Sequence, residues 1–336
     1  MKSPENDFAR ELTSFLGQYL PGQRNASRHT VAAYRDTFKL FLRYCQIVHQ
    51  IRPDQLRLNR ITYPLVVGFL DWLEQDRHNK IATRNQRLAA VHAFCLFVQT
   101  DTPDHLNEWQ RILAIPRKKT PRPLIPFLTT DEMTILLQQP RSGSRDQVLL
   151  ATLYDTGARV QELLDLTPRD IRLDPPAVVT LRGKGQKTRQ VPILQNTRQL
   201  LENYLRKARS APGYAEPPVF LNQYRTPLTR RGVSYLVDKY VEQAQGVVGF
   251  HVQDRITPHV FRHSKAVHML QAGINLVYIR DFLGHATITS TEIYARADTA
   301  MKREALEKAD LGFDAGELPA WDRDGELMTW LENLCR

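Results

Sequence analysis

The chain has 336 residues, 42% of them hydrophobic and 24% charged. This is enough apolar material for two ordinary globular domains of about 150 residues each, and it excludes a disordered or collagen-like chain. Lys and Arg outnumber Asp and Glu by 46 to 36, a net charge of +10 that favours a polyanionic partner over a neutral or acidic small molecule. The excess is uneven: residues 1–128 carry +8, residues 129–308 carry +7 and residues 309–336 carry −5, so a basic body ends in an acidic tail.

Cys45, Cys95 and Cys335 form no CxxC pair, and the first two sit among apolar residues, where a small buried thiol is expected. That usage suits a reducing cytosol. The N-terminus has no signal-peptide core, and no run approaches the roughly 18 apolar residues of a membrane span, so a soluble cytoplasmic protein without a membrane partner is expected.

An opening helix is expected near residues 6–20. From Ser27, residues Val31, Tyr34, Phe38, Phe41 and Leu42 recur at helical spacing, with Ser27 or Thr30 as cap. Helices at 62–75 and 82–99 complete a four-helix unit, the last with Leu88, Val91, His92, Cys95 and Val98 on one side. Arg84 and Arg87 lie off that stripe, as Arg28 and Arg35 lie off theirs, in positions suited to solvent or a phosphate backbone. Residues 115–127 hold four prolines with Arg117, Lys118, Lys119 and Arg122, which reads as an extended basic linker.

Beyond it, Thr129 or Thr130 caps a helix with Glu132 in its first turn, and an apolar helical stretch follows, interrupted at Gly157 and resuming to Leu166. The β-branched runs Val178–Leu181 and Gln190–Leu194 around a Gly-rich turn predict a hairpin. Helical patterns then cover 196–209, 230–245, 258–271, 275–283 and 290–308.

Four local groups carry candidate chemistry. In TGARVQELLDL, Arg159 follows the Gly157 break and Glu162 lies one turn on, placed to orient the guanidinium. In RGKGQKTR, Lys184 and Lys187 project from the hairpin turn, and the Walker pattern is absent. In TPHVFRHSKAVHML, His259 and Arg262 share a helix face with His263 and Ser264 adjacent. The His259 and His263 spacing also suits zinc, but no Glu of HExxH and no nearby Cys or carboxylate cluster supports a metal. In LGHATITSTEIYAR, Gly284 ends a helix, His285 follows it, and the next helix carries Tyr294.

Arginine, hairpin lysine, HxxR, then LGH with a tyrosine nine residues later resembles the tyrosine recombinase (phage integrase) family of site-specific DNA recombinases. The resemblance runs along the whole chain. It implies a mainly α fold with a small β-hairpin or sheet, arranged as a two-domain DNA clamp. Residues 1–114 would form a helical, SAM-like core-binding domain, 115–127 the linker, 128–310 the catalytic domain, and 311–336 an acidic tail with an amphipathic helix bearing Leu327, Trp330, Leu331 and Leu334.

The resemblance also assigns roles. Arg159 matches the first catalytic arginine, Lys184 the hairpin lysine, His259 and Arg262 the HxxR pair, His285 the final histidine and Tyr294 the nucleophile, with Lys187 competing for the lysine role. It implies double-stranded DNA as substrate, a 3′-phosphotyrosyl intermediate, no cofactor or metal, and a homotetramer on two DNA sites with a dimer on each. An accessory or paired recombinase can join it, and the expected location is the nucleoid. The layout is that of Xer-like or transposon and insertion-element enzymes, with a mobile-element role favoured over chromosome or plasmid dimer resolution. A type IB topoisomerase and a non-catalytic DNA clamp stay open as alternatives.

Overall fold

The computed structural model describes residues 6–120, 125–183, 187–209, 218–252, 254–285, 287–297 and 327–334. The chain divides into two compact units, Met1–Arg122 and Pro123–Arg336.

The first unit is helical: α1 (Asp7–Ser14), α2 (Arg28–His49), α3 (Tyr63–Gln75), α4 (Ile81–Val98) and α5 (Leu106–Leu113). Asn6 caps α1, and Ser27, one of the two candidates, caps α2 by accepting from the Thr30 N–H. After Ser14 the backbone widens into a π-helical stretch, Phe15–Gln23, containing Pro21, which has no N–H to offer the ladder. Phe8, Phe15, Phe38 and Phe94 meet in the core, with Phe15 edge-on to Phe94 at 5.4 Å between centroids. Cys45 and Cys95 are free and buried in it, and the burial pushes both thiols up to about 12.

Two features depart from the sequence expectation. The unit holds a fifth helix, α5, too short to advertise a period, although Trp109 and Ile112 fill the core from it. Arg84 and Arg87 are not on a solvated face. Arg84 is buried and donates to the Pro116 carbonyl, while Arg87 donates to Ala33 O and Thr37 Oγ1 on α2. Asn85 also bonds Lys118 through both backbone groups, so the start of the basic segment lies along α4. Residues 121–124 of that segment lie outside the described residues.

The second unit contains α6 (Thr130–Gln138), α7 (Arg145–Thr156), α8 (Val160–Leu164), β1 (Ile171–Arg172), β2 (Val178–Arg182), β3 (Thr188–Pro192), α9 (Gln195–Arg209), α10 (Arg230–Ala244), α11 (Pro258–Gln271), α12 (Leu276–Leu283), α13 (Thr289–Ala297) and α14 (Leu327–Asn333). Thr129 and Glu132 form a capping box at α6. The sheet is antiparallel in the order β1-β2-β3, with Val179 opposite Val191 and Arg182 opposite Thr188. The hairpin of the sequence reading thus gains a two-residue edge strand.

Helix α7 is buried from Val148 through Leu153 and again at Asp155 and Thr156, with α9 and α11 packed on it. Its buried threonines, Thr152 and Thr156, satisfy their hydroxyls on carbonyls one turn back. A smaller cluster of Ala266, Val267, Leu270, Ile279, Leu283 and Tyr294 joins α11, α12 and α13. Among the described residues no helix is long and apolar enough to cross a membrane.

Gly157 ends α7 with φ +56°, and a Cβ built there would lie 2.9 Å from Leu283 Cδ2 on α12. We expect Gly157→Ala to lower unfolding stability by about 1–3 kcal/mol through backbone strain alone, with the steric conflict adding to it, as read by urea denaturation.

Candidate active site

Arg159 sits in the extended junction between α7 and α8. Its backbone N–H donates to Glu162 Oε2 at 2.9 Å and its Nη1 to Glu162 Oε1 at 2.8 Å, so one carboxylate from the next turn fixes both the chain and the guanidinium. The Arg159 side chain remains 38% exposed, open to a ligand.

Helix α11 begins at Pro258, whose missing N–H costs nothing at a helix start. Arg262, one turn on, is 3% exposed. Its Nη1 donates to the Gly157 carbonyl and its Nη2 to the Leu283 carbonyl, both at 2.7 Å. These carbonyls close α7 and α12, ends that carry partial negative charge, so a buried cation is compensated without a carboxylate of its own. Burial, then the Arg159 charge, brings the Arg262 pKa down to about 10, which leaves it cationic at neutral pH.

His285 follows Gly284, which ends α12 with φ +66°. Its Nδ1 lies 2.9 Å from the buried hydroxyl of Thr291, and burial, then Arg262 and Arg159, holds its pKa near 4. His259 is exposed. The part of its surface that packing removes from water, together with Arg262, Arg159 and Arg230, lowers its pKa.

Tyr294 on α13 is 1% exposed. Its ring lies 6.1 Å from that of His285, nearly parallel at 17°, and its hydroxyl is 3.2 Å from Nδ1 of His263. Burial raises the phenol pKa, while the charge of Arg262, a hydrogen bond from it and the charge of Arg159 act in the opposite direction. Arg159, His259, Arg262, His285 and Tyr294, separated by up to 135 residues of sequence, therefore share one site. Lys184 lies outside the described residues. Lys187 is exposed at the foot of β3, where its carbonyl accepts from the Gly183 N–H.

Arg189, on β3, carries no signal in the sequence beyond its basic neighbours, yet it ties the site together. Its Nη1 and Nη2 engage Glu162 at 3.1 and 2.7 Å, and its Nε donates to the Phe282 carbonyl at 2.9 Å. One guanidinium thus joins the hairpin, the Arg159 turn and the loop that delivers His285. Gly284 is required beside it, since a Cβ there would come within 3.0 Å of Arg189 Cδ.

Residues 126–301 match the phage integrase family, and residues 12–99 match the phage integrase N-terminal SAM-like domain. The chain belongs to the phage integrase, or tyrosine recombinase, family. Members of this family catalyse DNA strand cleavage and rejoining, and the chain is an enzyme of that kind. It is 34% identical over 327 residues to the putative integrase/recombinase y4rC of Sinorhizobium fredii, covering 96% of this chain and 97% of that one. It is 33% identical to tyrosine recombinase XerC of Roseiflexus castenholzii over 84% of this chain and 88% of the relative. The fold is that of the XerH site-specific recombinase seen in a post-cleavage complex with a palindromic difH substrate, at a TM-score of 0.66 and 22% identity, over 88% of this chain and 84% of that one.

Burial pushes the Glu162 carboxyl up, but Arg189 and Arg159 outweigh it and hold the pKa below its usual value of 4.5. The ionised carboxylate therefore stabilises the fold above that value, and the contribution is lost as pH falls through the lower folded pKa. We expect Glu162→Gln or Arg189→Ala to cost about 3–5 kcal/mol at pH 7, because each leaves a buried charge with one partner fewer. In urea unfolding the gap between wild type and Glu162→Gln should narrow as the pH is lowered to about 3.

Proposed function

We propose that the protein is a site-specific DNA recombinase that cuts and rejoins duplex DNA through a covalent bond between Tyr294 and a 3′ phosphate. The convergence of two guanidiniums, His263 and His285 on one buried phenol, with His259 one turn back on α11, carries this reading. Arg159 and Arg262 clamp the non-bridging oxygens, whose charge grows as the phosphorus passes through its pentavalent state. His259 and His285 are neutral at pH 7 and serve as hydrogen-bond or proton partners. The hairpin lysine, Lys184 with Lys187 as alternative, protonates the departing 5′ oxygen. Because one phosphodiester is exchanged for another, the 5′ hydroxyl of a second strand reverses the step with no external energy source.

The first unit grips the duplex with its basic surface and the second delivers the chemistry. Two protomers occupy each site and four assemble on two duplexes, with the exposed Leu331 of α14 and Leu334 just after it suited to contact between protomers. We assign the reaction to movement of a mobile element, on the strength of the near full-length likeness to the integrase/recombinase y4rC. Dimer resolution is the alternative supported by the XerC relatives.

Incubated with a nicked suicide duplex, the wild-type protein should form an adduct stable to denaturing gel electrophoresis. Tyr294→Phe should form none while binding the duplex within about threefold of wild type, and binding by both should fall steeply with salt as counterions are released. An adduct with Tyr294→Phe overturns the assignment of the nucleophile.

A further inference from the structure

The family resemblance leaves His263 without a role, yet its ring nitrogen lies within hydrogen-bonding distance of the Tyr294 phenol. Its Nδ1 is 3.2 Å from the hydroxyl, and the two rings are tilted by 51° with centroids 5.6 Å apart. The other two histidines of the site are placed differently. His285 is already bonded through Nδ1 to Thr291 and lies alongside the tyrosine ring. His259 is one turn back on α11, its ring stacked on that of His263 at 6.4 Å.

We propose that His263 is a further catalytic residue, the group that takes the proton from Tyr294 when the phenol attacks and returns it when the strand is resealed. The inference rests on Tyr294 being the nucleophile. The proton passes from Tyr294 Oη to His263 Nδ1 as the Oη–P bond forms and the P–O5′ bond breaks, and a hairpin lysine protonates the departing 5′ oxygen. In the reverse step the 5′ hydroxyl gives its proton to the hairpin lysine as it attacks phosphorus, the Oη–P bond breaks, and Nδ1 gives its proton back to Oη.

The surroundings make this transfer conditional on DNA. His263 faces His259 and Arg262 on its own helix, His285 after α12 and Tyr294 on α13. Burial, then His259 and Arg262, holds its pKa near 4, so the ring is neutral and free to accept, but a poor base while the site is empty. A phosphodiester seated between Arg159 and Arg262 offsets their charge, and the phenolate formed beside the ring attracts the imidazolium further. Proton transfer then becomes favourable only with a scissile phosphate in place. Thus the arginines hold the phosphate and stabilise the phenolate, while a third, unassigned histidine removes the proton.

The test is single-turnover cleavage of the nicked duplex by the full-length protein carrying His263→Ala or His263→Gln. We expect covalent capture at pH 7 to slow by roughly 100-fold with duplex binding unchanged, the usual worth of a positioned general base. The deficit should shrink as pH rises from 7 to 10, because solution hydroxide then supplies a growing fraction of phenolate to the variant, even though burial keeps most of the phenol protonated across that range. A substrate with sulfur at the 5′ bridging position, whose leaving group needs no proton, should leave the deficit in place.

Cleavage by His263→Ala within about threefold of wild type, or faster than wild type, overturns the proposal; the faster rate would mean that His263 merely holds the phenol back. A deficit independent of pH, or one abolished by the sulfur substrate, overturns it equally. Should His263→Ala fail to fold, His263→Gln, which keeps the volume and hydrogen-bonding ability but not the basicity, carries the same comparison. Tyr294→Phe in parallel separates the two failures: an adduct formed by that variant removes the nucleophile assignment, whereas its absence beside an unimpaired His263→Ala removes only the role of His263.

Discussion

The site hangs on a buried guanidinium held by helix ends. Arg262 can sit at 3% exposure only because the closing carbonyls of α7 and α12 point at it, and each helix is ended by a glycine with positive φ, Gly157 or Gly284. The left-handed turn at those positions brings the chain round to Arg159 in one case and His285 in the other. A single cation thereby sets the spacing of three segments that carry the chemistry, and its own helix adds His259 and His263 to the same face.

Around it, charge is balanced in two layers. Beneath the site, one buried carboxylate, Glu162, is shared between Arg159 and Arg189, which locks the hairpin to the α7–α8 turn. At the site itself, Arg159 and Arg262 lie near neutral histidines and a phenol whose burial resists ionisation. Positive charge there exceeds negative, and an anionic phosphodiester restores the balance. The same excess that would recruit the phosphate also favours the phenolate that attacks it, so binding and nucleophile activation draw on one electrostatic field.

Much of the site was legible because the reaction demands particular residue types at particular breaks in helical pattern. Arg159 after Gly157, His259 and Arg262 one turn apart, His285 after Gly284, and Tyr294 on the following helix could each be placed on their elements from local periodicity. Helix α5 was hidden by its length, and β1 by having two residues. Arg84 and Arg87 looked like surface cations, because nothing local reveals that the Pro116 carbonyl, and the Ala33 carbonyl and Thr37 hydroxyl of α2, stand within reach of a helix face.

Local spacing determined the longer helices and the hairpin, and the order of the four motifs pointed to the family, whose resemblance picked out the five described residues of one site. Tertiary structure alone decided which groups share hydrogen bonds. His263 is next to Arg262 in sequence, but its neighbour Tyr294 is 31 residues away. Arg189 is 27 residues from Glu162 and 93 from Phe282. Such partnerships depend on where separate helices cross and how their side chains are directed there, a property of packing between elements that no periodicity within one element encodes.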